Sequence, residues 1–293
     1  MSLPTILLTG ATGFLGSHLL KTLLNKGHKV VIFKRTTSDI YRIQDNFNKI
    51  ISYNVDTQSL DLAFKEQKID VVIHTAGQYG RDGCGIVRII ESNVIFGVNL
   101  LAACKKYNTK VFINTDTLLQ PNASNYSLSK KHFTDWLKCS SNNIQIINLK
   151  LEHIYGVGDD NKKFVAWILS QLTKNVSKIK LTTGIQQRDF IYVSDVVSAY
   201  LKVLDKRKSL SNFSEFEVGT GKPILVREFV EKILLHFQKI KCNPKTKLLF
   251  GAVPYRENEA MVVCANTANL RNIGWNPSVS VDEGLSKIIK ELP

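Results

Sequence analysis

The stretch TILLTGATGFLGSHLL, residues 5–20, decides the fold because it combines a short apolar run, three glycines and a helical repeat. The apolar run ends at Thr9, and leucines recur afterwards at helical spacing, which predicts a strand, a turn and a helix. Gly10 can form the tight turn after the strand, Gly13 leaves the backbone open to a ligand, and Gly16 lets the helix lie close to the sheet. The first turn of that helix would offer backbone N–H groups to a diphosphate.

A glycine triplet by itself is a weak signal, and the spacing here is GxxGxxG rather than GxGxxG. Its position between a strand and an amphipathic helix is the context that a dinucleotide-binding turn requires, although an ordinary glycine turn is the alternative. The predicted cofactor contacts in this turn are Gly10, Thr12, Gly13, Phe14, Leu15 and Gly16.

Composition places the 293-residue chain among soluble globular proteins, with 44% hydrophobic and 22% charged residues. No apolar run approaches the roughly 18 residues of a membrane span, and the first residues do not resemble a signal peptide. The net charge of +14 is spread along the chain, which favours a solvated surface over nucleic-acid binding. We therefore expect no membrane and no nucleic-acid partner.

The cysteines are odd in number and widely scattered, and no pair has metal-ligand or redox spacing. This pattern predicts reduced thiols, a cytoplasmic protein and no bound metal. The five residues are Cys84, Cys104, Cys139, Cys242 and Cys264.

The end of the second predicted strand bears on the type of cofactor. An acidic residue at this point would bind the ribose hydroxyls of NAD, but the chain has Lys34, Arg35 and Thr36 instead. Two cations and a hydroxyl suit a 2′-phosphate, so NADP(H) is favoured over NAD; a merely polar strand exit is the alternative. Asp56, after the third strand, can accept a hydrogen bond from the adenine amino group or cap the following helix.

The fourth strand is a continuous apolar run that leads into small residues. Ala76 and Gly77 would let the backbone pass beneath the cofactor. Asn93 lies within the apolar repeat of the next helix, predicted over residues 89–107, where a buried amide needs partners. It is predicted to be either a cofactor contact or a satisfied polar group of the core.

The fifth strand ends at Thr115, and Tyr126 and Lys130 follow eleven and fifteen residues later. Residues four apart share one face of a helix, so the ammonium would lie near the phenol and lower its pKa from about 10. Such a tyrosine can exchange a proton with a sugar oxygen near neutral pH. Thr115 would hydrogen-bond the same oxygen.

These motifs resemble those of the extended short-chain dehydrogenase/reductase family, the nucleotide-sugar epimerases, dehydratases and reductases. The similar segments are TGATGFLG at residues 9–16, Thr115, the Tyr126–Lys130 pair, EHIYGVG at 152–158 and RDFIYVSDV at 188–196. The resemblance implies an α/β fold with a Rossmann-type doubly wound parallel sheet and a smaller C-terminal α/β domain. It assigns residues 1–160 to cofactor binding, completed by a segment around 185–210, and residues 161–293 mainly to the nucleotide sugar.

The resemblance also implies the site residues. Tyr126 is the acid/base and Thr115 its helper, and Tyr126 and Lys130 also contact the cofactor, with Lys130 binding the nicotinamide ribose. Arg188 and Arg256 hold the substrate diphosphate; an ion pair of Arg188 with Asp189 or Asp195 is the alternative. The further expected substrate contacts are Gln78, Thr117 and His153. A homodimer formed through the two long mid-chain helices is also implied.

Three functions remain open on these grounds. A reductase of a 4-keto deoxysugar nucleotide is favoured by the basic end of the second strand, and the chain resembles the branch that includes the CDP-abequose and CDP-paratose synthases. A C4 epimerase with tightly bound NAD is the alternative, and a non-enzymatic nucleotide or RNA binder is the third. Dehydration is disfavoured because Thr117 replaces the glutamate of the dehydratases' Thr-Asp-Glu motif.

Overall fold

The computed structural model describes residues 3–80, 83–241, 244–257 and 259–292. The chain divides into two compact units. The first comprises Met1–Lys150 and Tyr200–Phe216, and the second comprises Leu151–Ala199 and Glu217–Pro293. Which unit binds cofactor and which binds substrate stays a prediction.

The strands are β1 Ile6–Thr9, β2 Val30–Lys34, β3 Ile51–Asn54, β4 Val71–His74, β5 Val111–Thr117, β6 Gln145–Leu151, β7 His153–Tyr155, β8 Lys178–Leu181, β9 Gln187–Arg188, β10 Phe190–Tyr192, β11 Phe213–Val218, β12 Ile224–Leu225, β13 Lys247–Phe250 and β14 Val262–Val263. The α-helices are α1 Phe14–Asn25, α2 Leu60–Glu66, α3 Ile86–Ile90, α4 Phe96–Lys106, α5 Asn125–Ser140, α6 Phe164–Thr173, α7 Val193–Lys206, α8 Val226–Ile240, α9 Ala268–Asn272 and α10 Val281–Glu291.

The main sheet has seven strands in the order β11-β6-β5-β4-β1-β2-β3. The pairs β1–β2, β2–β3, β1–β4 and β4–β5 are parallel. The chain runs outward from β1 in one direction and then from β4 in the other, which confirms the predicted doubly wound fold. In such sheets a ligand crevice forms where the order reverses, at the carboxyl ends of β1 and β4.

The core of the first unit follows from its apolar strands. Every residue of β1 and β4 is buried, as expected of strands covered on both faces. Phe112 of β5 and Phe133 of α5 are both completely buried in the same cluster as Leu7. Because helices cover both faces of these strands, polar side chains that could contact a ligand are expected at the strand ends.

The helix predicted over residues 89–107 begins earlier and is interrupted by a π-helical turn. This turn, Glu91–Ile95, joins α3 to α4 and contains Asn93, which is 1% exposed. Turns of this kind are often found at functional sites. Among the described residues, Ile86–Lys106 is the one helix long and apolar enough to cross a membrane, but part of it lies in the core, as the central helices of soluble proteins do.

The second unit contains short sheets, which confirms a smaller C-terminal α/β part. β7 pairs with β10, β8 with β13, and β9 lies between β12 and β14. Two buried carboxylates hold its loops. Asp189 accepts backbone N–H groups of Thr220 and Gly221, each at 2.8 Å, and Asp195 accepts those of Ser278 and Val279 at 3.0 and 2.9 Å.

Four cysteines, Cys84, Cys104, Cys139 and Cys264, are free thiols, and Cys242 lies outside the described residues.

Candidate active site

The glycine turn after β1 has the geometry that a dinucleotide needs. Gly10 has a φ of 70°, and a Cβ there would lie 2.7 Å from the backbone nitrogen of Ala76. A Cβ on Gly16 would lie 2.0 Å from the carbonyl oxygen of Gly10, so that position also requires glycine. Gly13 is exposed and precedes α1, whose first turn has neither a side-chain cap nor an acidic residue. The turn therefore fits the diphosphate of a nicotinamide dinucleotide.

The ends of β2 and β3 are joined by hydrogen bonds. The backbone N–H of Thr36 donates to Asp56 at 2.8 Å, and the amide of Asn54 donates to the Thr36 hydroxyl at 2.9 Å. Within the described part of the chain, Lys34 and Arg35 form no ion pair. Two cations without carboxylate partners are thus presented at this strand end, and Asp56 helps to shape the loop that carries them.

Hydrogen bonds to two different elements hold the loop that follows β4. The backbone N–H of Ala76 donates to the Thr9 hydroxyl at 3.3 Å, next to the exposed Gly77. The N–H of Gln78 donates to Asn93 at 2.7 Å, and the amide of Asn93 donates back to the Gln78 carbonyl at 2.9 Å. Asn93 is therefore a satisfied buried amide that holds this loop, and a direct cofactor contact stays a prediction.

The predicted catalytic residues lie on β5 and α5. Thr115 is near the carboxyl end of β5, and α5 begins at Asn125 behind a capping box formed by Ser124 and Ser127. Tyr126 and Lys130 occupy successive turns of α5, with Lys130 3% exposed. No described residue accepts a hydrogen bond from Lys130, so its buried ammonium suits the hydroxyl oxygens of a ligand.

The predicted lowering of the Tyr126 pKa is wrong in direction. Burial is the largest cause that raises the pKa of Tyr126 well above its usual value, and Tyr79 and the Asp116 carboxylate add to it. Burial also lowers the pKa of Lys130, which Asp116 opposes. Desolvation disfavours both charged forms, and the spacing of the two residues in the sequence does not show it.

Two features of this centre have no local signature in the sequence. The completely buried Tyr200, on α7, has its hydroxyl 2.6 Å from that of Thr115. Asp116 accepts hydrogen bonds from the side chains of Thr134 at 2.8 Å and Asn148 at 3.0 Å. Its carboxylate also accepts the backbone N–H of Thr117, which lies half-buried at the end of β5.

The predicted substrate residues of the second unit have protein partners or are exposed. The Nδ1 atom of His153 lies 2.7 Å from the buried carboxylate of Glu152. Arg188 is buried and pairs with Glu259, so the alternative pairing with Asp189 or Asp195 is wrong. Arg256 is exposed. The roles of these residues in substrate binding stay predictions.

No group of three or more potential metal ligands occurs within the described ranges.

Comparison with known proteins agrees with this geometry. The sequence model of the NAD dependent epimerase/dehydratase family matches residues 6–219. CDP-abequose synthase of Salmonella typhimurium is 34% identical over 98% of both chains, and that of Salmonella muenchen is 33% identical over 97% of this chain and 96% of its own. The UDP-glucose 4-epimerase of Thermotoga maritima, solved with UDP-glucose, is 22% identical, with a TM-score of 0.84 over 98% of this chain and 97% of its own. The family match and the two near full-length relatives confirm the predicted membership: the chain is an enzyme of the NAD dependent epimerase/dehydratase family, the extended short-chain dehydrogenases/reductases.

Proposed function

We propose that the protein is an NADPH-dependent reductase of a 4-keto deoxy or dideoxy nucleotide sugar, linked to CDP, dTDP or GDP. The observation that carries the proposal is the centre formed by Thr115, Tyr126 and the buried Lys130, in a unit whose β2 ends in two cations. Similarity to the CDP-abequose synthases supports the substrate class and a role in making deoxysugars for surface polysaccharide. The scattered free cysteines support a cytoplasmic location.

Each of these residues has a defined role in the proposed reaction. The glycine turn after β1 holds the cofactor diphosphate, and Lys34, Arg35 and Thr36 bind its 2′-phosphate. NADPH, when bound, supplies the hydride to the carbonyl carbon at C4. Tyr126 donates its phenolic proton to the C4 oxygen, and the Thr115 hydroxyl holds that oxygen by a hydrogen bond.

The raised pKa of Tyr126 is compatible with this direction of reaction. A phenol that keeps its proton at neutral pH is in the form that a proton donor needs. Lys130 lies one helical turn away, and its positive charge would stabilise the phenolate that remains after transfer.

The experiment is to incubate the pure protein with a 4-keto nucleotide sugar and NADPH. Stoichiometric loss of the reduced-nicotinamide absorbance supports the reductase. Isomerisation of a nucleotide sugar without net cofactor use would instead support a C4 epimerase, the activity named for several similar folds. Tyr126→Phe should retain NADPH affinity while turnover falls by orders of magnitude.

We also propose a homodimer. The 86–106 stretch and α5 pack together and carry large apolar side chains that are 39% to 65% exposed. These side chains are Ile86, Val87, Ile90, Ile95, Leu128 and Trp136. A second copy of the same helices would cover them with a matching apolar surface.

A further inference from the structure

Asp116 is a buried carboxylate next to the candidate catalytic centre that takes no part in the proposed proton or hydride transfer. It follows Thr115 on β5 and is 5% exposed. One of its oxygens accepts the backbone N–H of Thr117 at 2.8 Å. The other accepts the Thr134 hydroxyl at 2.8 Å and the Asn148 amide at 3.0 Å. All three partners are neutral donors, so they fix the carboxylate in place without neutralising its negative charge.

The position of Asp116 relative to Lys130 follows from Thr134. Lys130 and Thr134 are four residues apart on α5 and both are buried, so they lie on the same inward face of the helix. Because Thr134 donates directly to Asp116, the carboxylate lies beneath this face, about one helical turn from Lys130. No contact ion pair joins the two groups in the described part of the chain. Their charges act on each other through a buried region, where such interactions are stronger than in water.

Asp116 is the ionised group that acts on Lys130 among the described residues around it. His74 on β4 is neutral near physiological pH, because burial and the charge of Lys130 lower its pKa to about 3. Tyr126 and Tyr200 keep their protons, because burial raises the pKa of each phenol. Burial lowers the pKa of Lys130, and the negative charge of Asp116 opposes that change.

The nearest other carboxylate already has a cation of its own. The amide of Asn148 also donates to Glu215 of β11 at 3.0 Å, and Glu215 pairs with the ammonium of Lys150. Asn148 thus bridges two carboxylates, of which Glu215 is neutralised by a contact partner. The charge that remains at this bridge is that of Asp116.

We propose that Asp116 is a positioning residue of the centre, whose carboxylate is the buried counter-charge that keeps Lys130 an ammonium ion. The inference rests on the proposed reductase function, in which this ammonium stabilises the Tyr126 phenolate that remains after proton transfer. A buried lysine without a counter-charge can lose its proton near neutral pH. The resulting neutral amine would give the phenolate no electrostatic support.

The first test is Asp116→Asn, which removes the charge and keeps an oxygen that can accept from Thr134 and Asn148. At neutral pH, kcat should fall about tenfold or more. The basic limb of the kcat/KM profile should move to lower pH by about one unit or more, because Lys130 then loses its proton more easily. Lowering the pH should therefore restore much of the lost turnover.

Two further variants separate the charge of Asp116 from its structural contacts. Thr134→Val removes one hydrogen bond to Asp116 and keeps the charge, so the basic limb should not move even if turnover changes. Asp135→Asn removes an exposed carboxylate from the same helix and should change neither turnover nor the profile. Unchanged turnover in Asp116→Asn would overturn the proposal. A slow Asp116→Asn variant with an unshifted pH profile would overturn it as well, because that result indicates a purely structural role.

A measurement without substrate separates this inference from the reductase proposal. The Lys130 side chain, labelled with ¹³C and assigned by the loss of its NMR signal in Lys130→Met, should be charged at neutral pH in the unaltered protein. In Asp116→Asn it should titrate at lower pH. Equal titration midpoints would overturn the counter-charge whatever reaction the enzyme catalyses. A shifted midpoint in a protein that never consumes NADPH would refute the reductase and leave the counter-charge supported.

The unaltered protein alone also tests the proposal, should Asp116→Asn fail to fold. The carboxyl carbon of Asp116 should have the ¹³C shift of an ionised carboxylate at neutral pH. A protonated Asp116 or a neutral Lys130 under these conditions would overturn the proposal.

Discussion

The hydroxyl of Thr115 lies 2.6 Å from the hydroxyl of Tyr200, a completely buried residue 85 positions further along the chain. Each hydroxyl is a donor and an acceptor, so Tyr200 can donate to Thr115 while Thr115 donates to a ligand oxygen. The pair makes the orientation of the Thr115 hydroxyl depend on α7, an element that carries none of the predicted catalytic residues.

Tyr200→Phe should therefore lower kcat by about tenfold or less, the worth of one neutral hydrogen bond, with little change in KM. Thr115→Val should lower kcat further, because it removes the hydroxyl that is proposed to contact the substrate. The double variant should be no slower than Thr115→Val alone, since Tyr200 acts through Thr115. Independent, additive losses measured by steady-state kinetics would show that Tyr200 has a separate role.

The cations at the end of β2 lead to a prediction about cofactor preference. Arg35→Ala should lower kcat/KM with NADPH about tenfold to a hundredfold, because a charge-assisted contact to the 2′-phosphate is lost, and Lys34→Ala should act similarly. The kcat/KM values measured with NADH should not change. Lys29→Ala, which removes an exposed cation just before the same strand, is the matched control. Equal losses with both cofactors would contradict a role in phosphate recognition.

The features that could be predicted from the sequence are those that depend on residues close together in the chain. The glycine turn and the spacing of Tyr126 and Lys130 depend on neighbours within a few residues, and both lie where they were expected. Tyr200 could not be predicted, since only the fold brings it to Thr115. The partner of Arg188 was missed for the same reason, because Glu259 is 71 residues away. The pKa of Tyr126 depends on burial, which spacing does not show.

The exposed apolar side chains of the 86–106 stretch and α5 lead to a prediction about assembly. Trp136→Glu and Ile95→Lys would each place a charge in the proposed dimer interface, where desolvation is costly. Each variant should be a monomer by light scattering at concentrations where the unaltered protein is a dimer. Leu235→Lys is the control: it replaces an exposed apolar side chain on α8, outside the proposed interface, and should remain dimeric. An unaltered protein that is itself monomeric would contradict the dimer.

His74 leads to a prediction about stability and pH. It is completely buried at the end of β4, with Nδ1 2.8 Å from the Thr9 hydroxyl, and Nε2 has no hydrogen-bond partner among the described residues. Burial lowers its pKa from 6.5 to about 3 in the folded protein, and the positive charge of Lys130 contributes. Between these two values the unfolded chain binds a proton that the folded chain does not. Stability should therefore fall as the pH drops below 6.5, by about 1.4 kcal/mol per pH unit from this residue.

His74→Asn removes this titration and can keep a donor toward Thr9. The smaller side chain leaves a cavity among the rings of Phe96, Phe112 and Phe133, which lowers stability by the same amount at every pH. The slope of unfolding free energy against pH should therefore be shallower below pH 6.5 than in the unaltered protein, measured by urea unfolding. His132→Asn, at an exposed position, should leave the slope unchanged. Parallel curves for the unaltered protein and His74→Asn would show that His74 is protonated in both states or in neither.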